Sequence, residues 1–141
     1  MSILRDERLV ALHDLVEACR SSASHAALAA ELMAEDSRAE ALQALADQRS
    51  ADADFFAERM IAEGDIPGGP PEERSLLDAA LARARAAFAD EGWEALLDDC
   101  RVQEEAVCRQ AEAAQAAPLR DDERIAAEAL ASRAREAVAR L

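Results

Sequence analysis

The chain has 141 residues and a formal net charge of −14. That length suits one domain with a real core, so residues 1–141 are read as a single domain. Its charge disfavours nucleic-acid phosphates and anionic membrane surfaces as partners. Aromatics are 3% of residues, Tyr and Thr are absent, and Val plus Ile number nine. Strands favour those types, whereas the dominant Ala, Leu, Glu and Arg favour helices, so an all-α fold is expected.

Met1 to Glu7 contains no uninterrupted apolar stretch, which argues against a signal peptide. No apolar run approaches the length of about 18 residues that a membrane span needs. With three cysteines and no Cys-x-x-Cys, a reducing cytoplasm is the expected location.

The first helix is predicted from about Leu4 to Met33. Leu9, Leu12, Val16, Cys19, Ala23, Ala26, Ala30 and Met33 recur in alternating steps of three and four, a heptad seam. Glu35-Asp36-Ser37 is a polar break with N-cap chemistry. The second helix runs to about Glu63 along Leu42, Ala46, Arg49, Ala53, Phe56 and Met60, and Gly64 ends it. Asp65 to Pro71 reads as a loop. A helix from about Glu72 to Ala89 follows, long enough to carry the chain back along a bundle as a crossover. After Asp90-Glu91-Gly92, the third main helix runs to about Ala117, and Pro118 stops it. The fourth runs from about Leu119 to the end.

Two segments repeat. Leu15-Val16-Glu17-Ala18-Cys19-Arg20 matches Leu96-Leu97-Asp98-Asp99-Cys100-Arg101 in residue type, except at Ala18 and Asp99. The third-helix seam, Trp93, Leu97, Cys100, Glu104, Val107, Ala111 and Ala114, is the first seam displaced by Cys100 minus Cys19, or 81 positions. A helical hairpin cannot bury its apolar face alone, but two can bury each other's.

Leu12-His13-Asp14-Leu15-Val16-Glu17-Ala18-Cys19-Arg20 resembles the first helix of a bacterial group of small, uncharacterised ferritin-like four-helix-bundle proteins. Glu63-Gly64-Asp65-Ile66-Pro67 resembles that group's glycine–acid–proline turn. Leu96 to Glu105 resembles its third-helix signature of an acidic pair, a cysteine and a second acidic pair. The resemblance implies a ferritin-like bundle of two hairpins joined by a long crossover and, for most members, no established activity. This chain also departs from the group. Its first-helix acidic pair falls here on Ala23-Ser24, and its fourth-helix histidine falls near Arg133.

Dimetal sites on such bundles take a Glu from two helices and Glu-x-x-His from the other two. No Glu-x-x-His occurs in this chain. Glu104 instead takes a core position on the third helix, Arg49 takes one on the second, and Arg133 falls 84 positions after Arg49. Asp52 and Glu136 each follow an arginine by three residues, a spacing that shares a helix face. The expectation is a polar layer of Glu104, Arg49, Arg133, Asp52 and Glu136, with guanidinium groups in place of cations. The bland alternative puts the arginines at the seam's edge with their heads in water.

Other residues carry weaker signals. His13 and His25 are expected at the surface or its boundary, and Cys19 and Cys100 as small core residues. Trp93 is expected to plug the core at the bundle's end. No nucleophile pair or catalytic residue is evident, so a non-enzymatic protein without cofactor is the first reading. It would act through self-association, as a dimer if any oligomer, or by binding a protein. Leu28, Leu32, Leu76, Leu77, Leu81 and Phe88 are the candidate apolar patch, unless the crossover helix simply covers Leu28 and Leu32. The alternative is a carboxylate-rich iron or manganese protein of ferritin type, with Glu104, Glu105, Glu17 and Asp98 as weak ligand candidates.

Overall fold

A computed structural model describes residues 6–64 and 71–141, with side chains described outside 71–73. It contains α1 (Glu7–Leu32), α2 (Ala39–Ala62), α3 (Pro71–Glu91), α4 (Trp93–Ala114) and α5 (Asp121–Arg140). No strand occurs among the described residues. None of their helices is long and apolar enough to cross a membrane. The loop expected over 65–71 lies outside the described residues except for Pro71, which opens α3.

Local chemistry sets the boundaries. Asp6 caps α1 by accepting a hydrogen bond from the Arg8 amide at 2.9 Å. Asp36 accepts from the Arg38 amide at 2.9 Å, ordering the turn before α2. Gly64 ends α2 at φ +83° and Gly92 separates α3 from α4 at φ +84°, conformations that cost any residue with a Cβ. The helix α4 ends at Ala114, a turn before Pro118, because the chain tightens through turns at Gln115 to Ala117.

Side-chain pairs fix the helix directions. Ser22 meets Glu104 and His25 meets Asp99, so α1 and α4 run antiparallel. Arg8 meets Glu123 near the starts of α1 and α5, so those two run parallel. Arg120 meets Glu63, which brings the end of α2 to the same end of the molecule. The principal packing joins α1 to α2, α1 to α4, and α4 to α5, while α3 lies against α4 and α1. In contrast, the backbones of α2 and α5 stay farther apart and are bridged by side chains, among them Arg133 with Asp52 and Arg59 with Asp122.

Every first-seam residue except half-buried Leu9 is buried, as is the whole second seam. The third seam is buried from Leu97 onward, but Trp93 is a correction. It is 43% exposed, with the Arg38 guanidinium 3.9 Å over its ring. At the first residue of α4 it has no preceding turn to pack beneath, so it stacks on a cation at the rim. Leu28 is buried and Leu32 half-buried, and Phe88 of α3 packs on the same cluster as Leu32.

The apolar core is divided in two. One cluster gathers Leu12, Leu15, Cys19, Phe56, Val107 and Leu130. The other gathers Ala29, Met33, Leu42, Leu96, Leu97 and Cys100. Along α1, α2 and α4 alike, polar residues interrupt the passage from one to the other: Ser22, Arg49 and Glu104. Each buried leucine contributes about 1.5–3 kcal/mol, so both clusters are substantial. What lies between them must satisfy its own hydrogen bonds.

Candidate functional site

The join between the clusters is an arginine–carboxylate layer. Arg49 is 1% exposed and Glu104 is 0% exposed. Arg49 donates from Nε to Glu104 Oε1 at 2.8 Å and from Nη2 to Oε2 at 2.9 Å, a two-pronged pairing. Its Nη1 donates to Asp52 Oδ2 at 3.0 Å. Ser22 Oγ donates to Glu104 Oε1 at 2.7 Å. Arg133 Nη2 donates to Asp52 Oδ1 at 2.8 Å, and Gln48 reaches the same oxygen at 3.3 Å. Two arginines therefore face two carboxylates, and the layer is internally neutral. Burial pulls the Arg49 guanidinium down, but its hydrogen bonds to Glu104 and the charges of Glu104 and Asp52 outweigh it and hold the group above its ordinary value.

The five expected layer residues divide. Arg49, Glu104 and Asp52 form the buried part. Arg133 reaches the layer only through one Nη, and much of its side chain is exposed. The fifth helix presents Ala127, Leu130 and Ala134 to the core, so Arg133 stands one residue off that line. Its Nε is nonetheless buried without a partner. Glu136 is exposed and stays outside the layer.

The weak metal candidates do not come together. Glu104 is held by Arg49 and Ser22, and Asp98 pairs with Arg101 at 2.6 Å. Glu105 is exposed. Glu17 lies with His13 and Asp14, the one group of three possible ligands among the described residues, its donor atoms within 4.8 Å of one another. His13 sits 3.6 Å from each acid. This group is half-buried on one helix, away from the bundle's middle. At the centre, the Arg49 guanidinium takes up Glu104, the only fully buried carboxylate of the layer.

His25 corrects the surface expectation. It is 2% exposed, its Nδ1 pairs with Asp99, and its Nε2 has no partner. Cys19 and Cys100 are buried, and all three cysteines are free. Burial pushes the Cys19 thiol up to about 12, and the Asp52 charge adds to this. Burial likewise pushes Cys100 up to about 12, with Asp99 and Glu104 adding. Protonated thiols at these depths are neither nucleophiles nor ready metal ligands.

A second buried ion pair was missed in the sequence. Arg8 donates from Nε to Glu123 Oε1 at 2.8 Å and from Nη2 to Oε2 at 2.5 Å. Its Nη1 lies 3.2 Å from Glu63 Oε1, and Arg120 also pairs with Glu63. Glu123 further accepts from the Arg120 amide at 2.9 Å, closing the start of α5. Its carboxyl is held below the ordinary value, chiefly by hydrogen bonds from Arg8. The signal was available: Arg8, Leu12, Leu15, Cys19, Ser22 and Ala26 form a second heptad line, and all are buried.

No protein-family model, curated protein or solved structure matches the chain.

Proposed function

We propose that this is a non-catalytic bundle of ferritin-like architecture whose metal position is filled by its own arginines, and which acts by associating with itself or with a protein. The observation that carries the reading is the forked Arg49–Glu104 pair, buried between two apolar clusters. A buried carboxylate needs a cation beside it, and the guanidinium supplies that cation permanently. Antiparallel α1 and α4, with α3 between α2 and α4 in the chain and lying against α4 and α1, support two hairpins joined by a crossover helix. The bacterial group named above shares that plan by resemblance. Three free cysteines, two of them deeply buried, fit a reducing cytoplasm.

Association would use residues that the closed bundle leaves over. Leu76 on α3 is 69% exposed, and Ile61, Val102 and Ile125 are also exposed. A second copy of the chain, forming a dimer, is the simplest occupant.

Metal analysis of protein purified without chelator, followed by anaerobic titration with iron(II) and manganese(II), tests the reading. The expected result is no stoichiometric metal and no shift in unfolding temperature. Stoichiometric iron or manganese that disappears in Glu104→Gln would overturn it. The alternative of a carboxylate-rich metal protein has one geometric support, the His13, Asp14 and Glu17 group. Metal lost in His13→Ala but kept in Glu104→Gln would favour that alternative.

A further inference from the structure

A groove of about 660 Å³ lies between the first half of α2, the start of α4 and the end of α5. The backbones of α2 and α5 stay apart here, and Ala41, Ala44 and Ala137 line the groove with small side chains. Its volume falls in the range of small-molecule sites, about 300–1,000 Å³.

The groove gathers arginines on a chain that is rich in acids. The sequence holds 30 acids and 16 basic residues. The groove wall carries Arg38, Arg49, Arg101, Arg133 and Arg140 against Glu94, Asp98 and Glu136. Three of the five arginines are committed. Arg49 is held by Glu104 and Asp52. Arg38 is held by Asp36 and Trp93, and Arg101 by Asp98 and the Leu141 main-chain oxygen. Arg133 uses one Nη on Asp52 and keeps the other without a protein partner, while its Nε is buried. No described residue pairs with Arg140. These two arginines are seven residues apart on α5, about 10 Å along one face, with Ala137 between them. Leu42, Leu45 and Leu97 also line the groove, with Leu45 the most exposed of the three.

We infer that this groove binds a small organic carboxylate with an apolar body, its carboxylate held by Arg133 and Arg140 over Ala137 and its hydrocarbon laid on Leu42, Leu45 and Leu97. A guanidinium with spare donors matches a carboxylate in shape as well as charge. Beside these apolar side chains, that contact is stronger than in water. An uncharged ligand of the same shape would leave the arginine donors covered and unpaired, which is the basis of discrimination. This inference stands apart from the proposed function, since it concerns the groove and not the buried centre.

Calorimetric titration with decanoate, and with decanol as the uncharged counterpart, tests it on the full-length protein. Decanoate is expected to bind saturably at one site per chain, with decanol at least about tenfold weaker, since 1.4 kcal/mol corresponds to tenfold. Arg133→Met and Arg140→Gln are each expected to weaken decanoate by about tenfold or more and to leave decanol unchanged. Arg133 also touches the central layer, so Leu45→Trp, which fills the groove from a half-buried position, is the second variant. It is expected to abolish binding while the unfolding midpoint stays near that of the parent. Arg135→Gln, whose arginine pairs with Glu112 away from the groove, is expected to bind like the parent. Equal binding of decanol and decanoate, no saturable binding, or full binding by Leu45→Trp would each overturn the inference.

Discussion

The bundle contains two buried arginine–glutamate forks, one at its middle and one at its end, and their surroundings make them unequal. Arg49 and Glu104 lie midway along α2 and α4, between two apolar clusters. Arg8 and Glu123 lie in the first turns of α1 and α5, beside partly exposed Glu63 and exposed Arg120. The chemistry is the same, but the fate of an abandoned partner differs. A guanidinium left alone at the end can rotate toward water and keeps Glu63. One left alone at the middle keeps only Asp52 and, at 1% exposure, has little room to turn outward. The cost of removing an acid therefore depends on the depth of the arginine it leaves behind.

Glu104→Gln should show the largest effect. It leaves Arg49 buried with half its charge balance, and should lower unfolding free energy by about 3–5 kcal/mol in urea titration. A loss within about 0.5 kcal/mol would place Glu104 in a solvated setting. Glu123→Gln should cost less, about 1–3 kcal/mol, because Arg8 can rehydrate. If the two losses are equal, depth is not what separates the forks.

The end fork also has a pH signature. The Glu123 carboxyl is held below its ordinary value of 4.5 by Arg8. Its stabilisation is thus fully present above pH 4.5 and declines as pH falls below that value through its lowered folded pKa. Urea midpoints measured from pH 6 downward should fall less steeply in Glu123→Gln than in the parent. Parallel curves would contradict the assignment.

Smaller effects sharpen the contrast between core and rim. Trp93→Ala should cost no more than about 1 kcal/mol, since the ring is half in solvent and contributes mainly its stacking with Arg38. Native-state labelling with a thiol reagent at pH 8 should modify Cys108 first. Cys19 and Cys100, each pushed up to about 12, should react only at the rate of unfolding. Fast labelling of all three would mean the core opens far more readily than its packing implies.

Much of this was legible in the sequence, and the exceptions have physical causes. The alternating steps in α1, α2 and α4 identified the buried lines because Leu, Phe, Met and Val mark them strongly. That phase placed Arg49 and Glu104 at the core. In α5 the phase was lost by one residue, and Arg133 was set on a line that Ala134 occupies. The buried line of α5 is marked mostly by alanines, with Leu130 its one large apolar side chain, so little in the sequence anchors the phase. His25 was misread for a related reason. The second half of α1 is covered by α2, α4 and α3, and a helix enclosed on several sides has no polar face to predict. The Arg8–Glu123 fork was hidden because an acid in a first turn is ordinary capping chemistry, and only the second heptad line of α1 points to its burial.

A double-substitution cycle at Arg49 and Glu104, read by urea unfolding, tests the central claim most directly. Arg49→Met and Glu104→Met should each cost about 3–5 kcal/mol, and the double variant should cost little more than nothing, because two matched apolar side chains join the clusters on either side. Coupling of about 3 kcal/mol or more is the expected result. Additive losses would mean that the two charges do not balance each other inside the bundle.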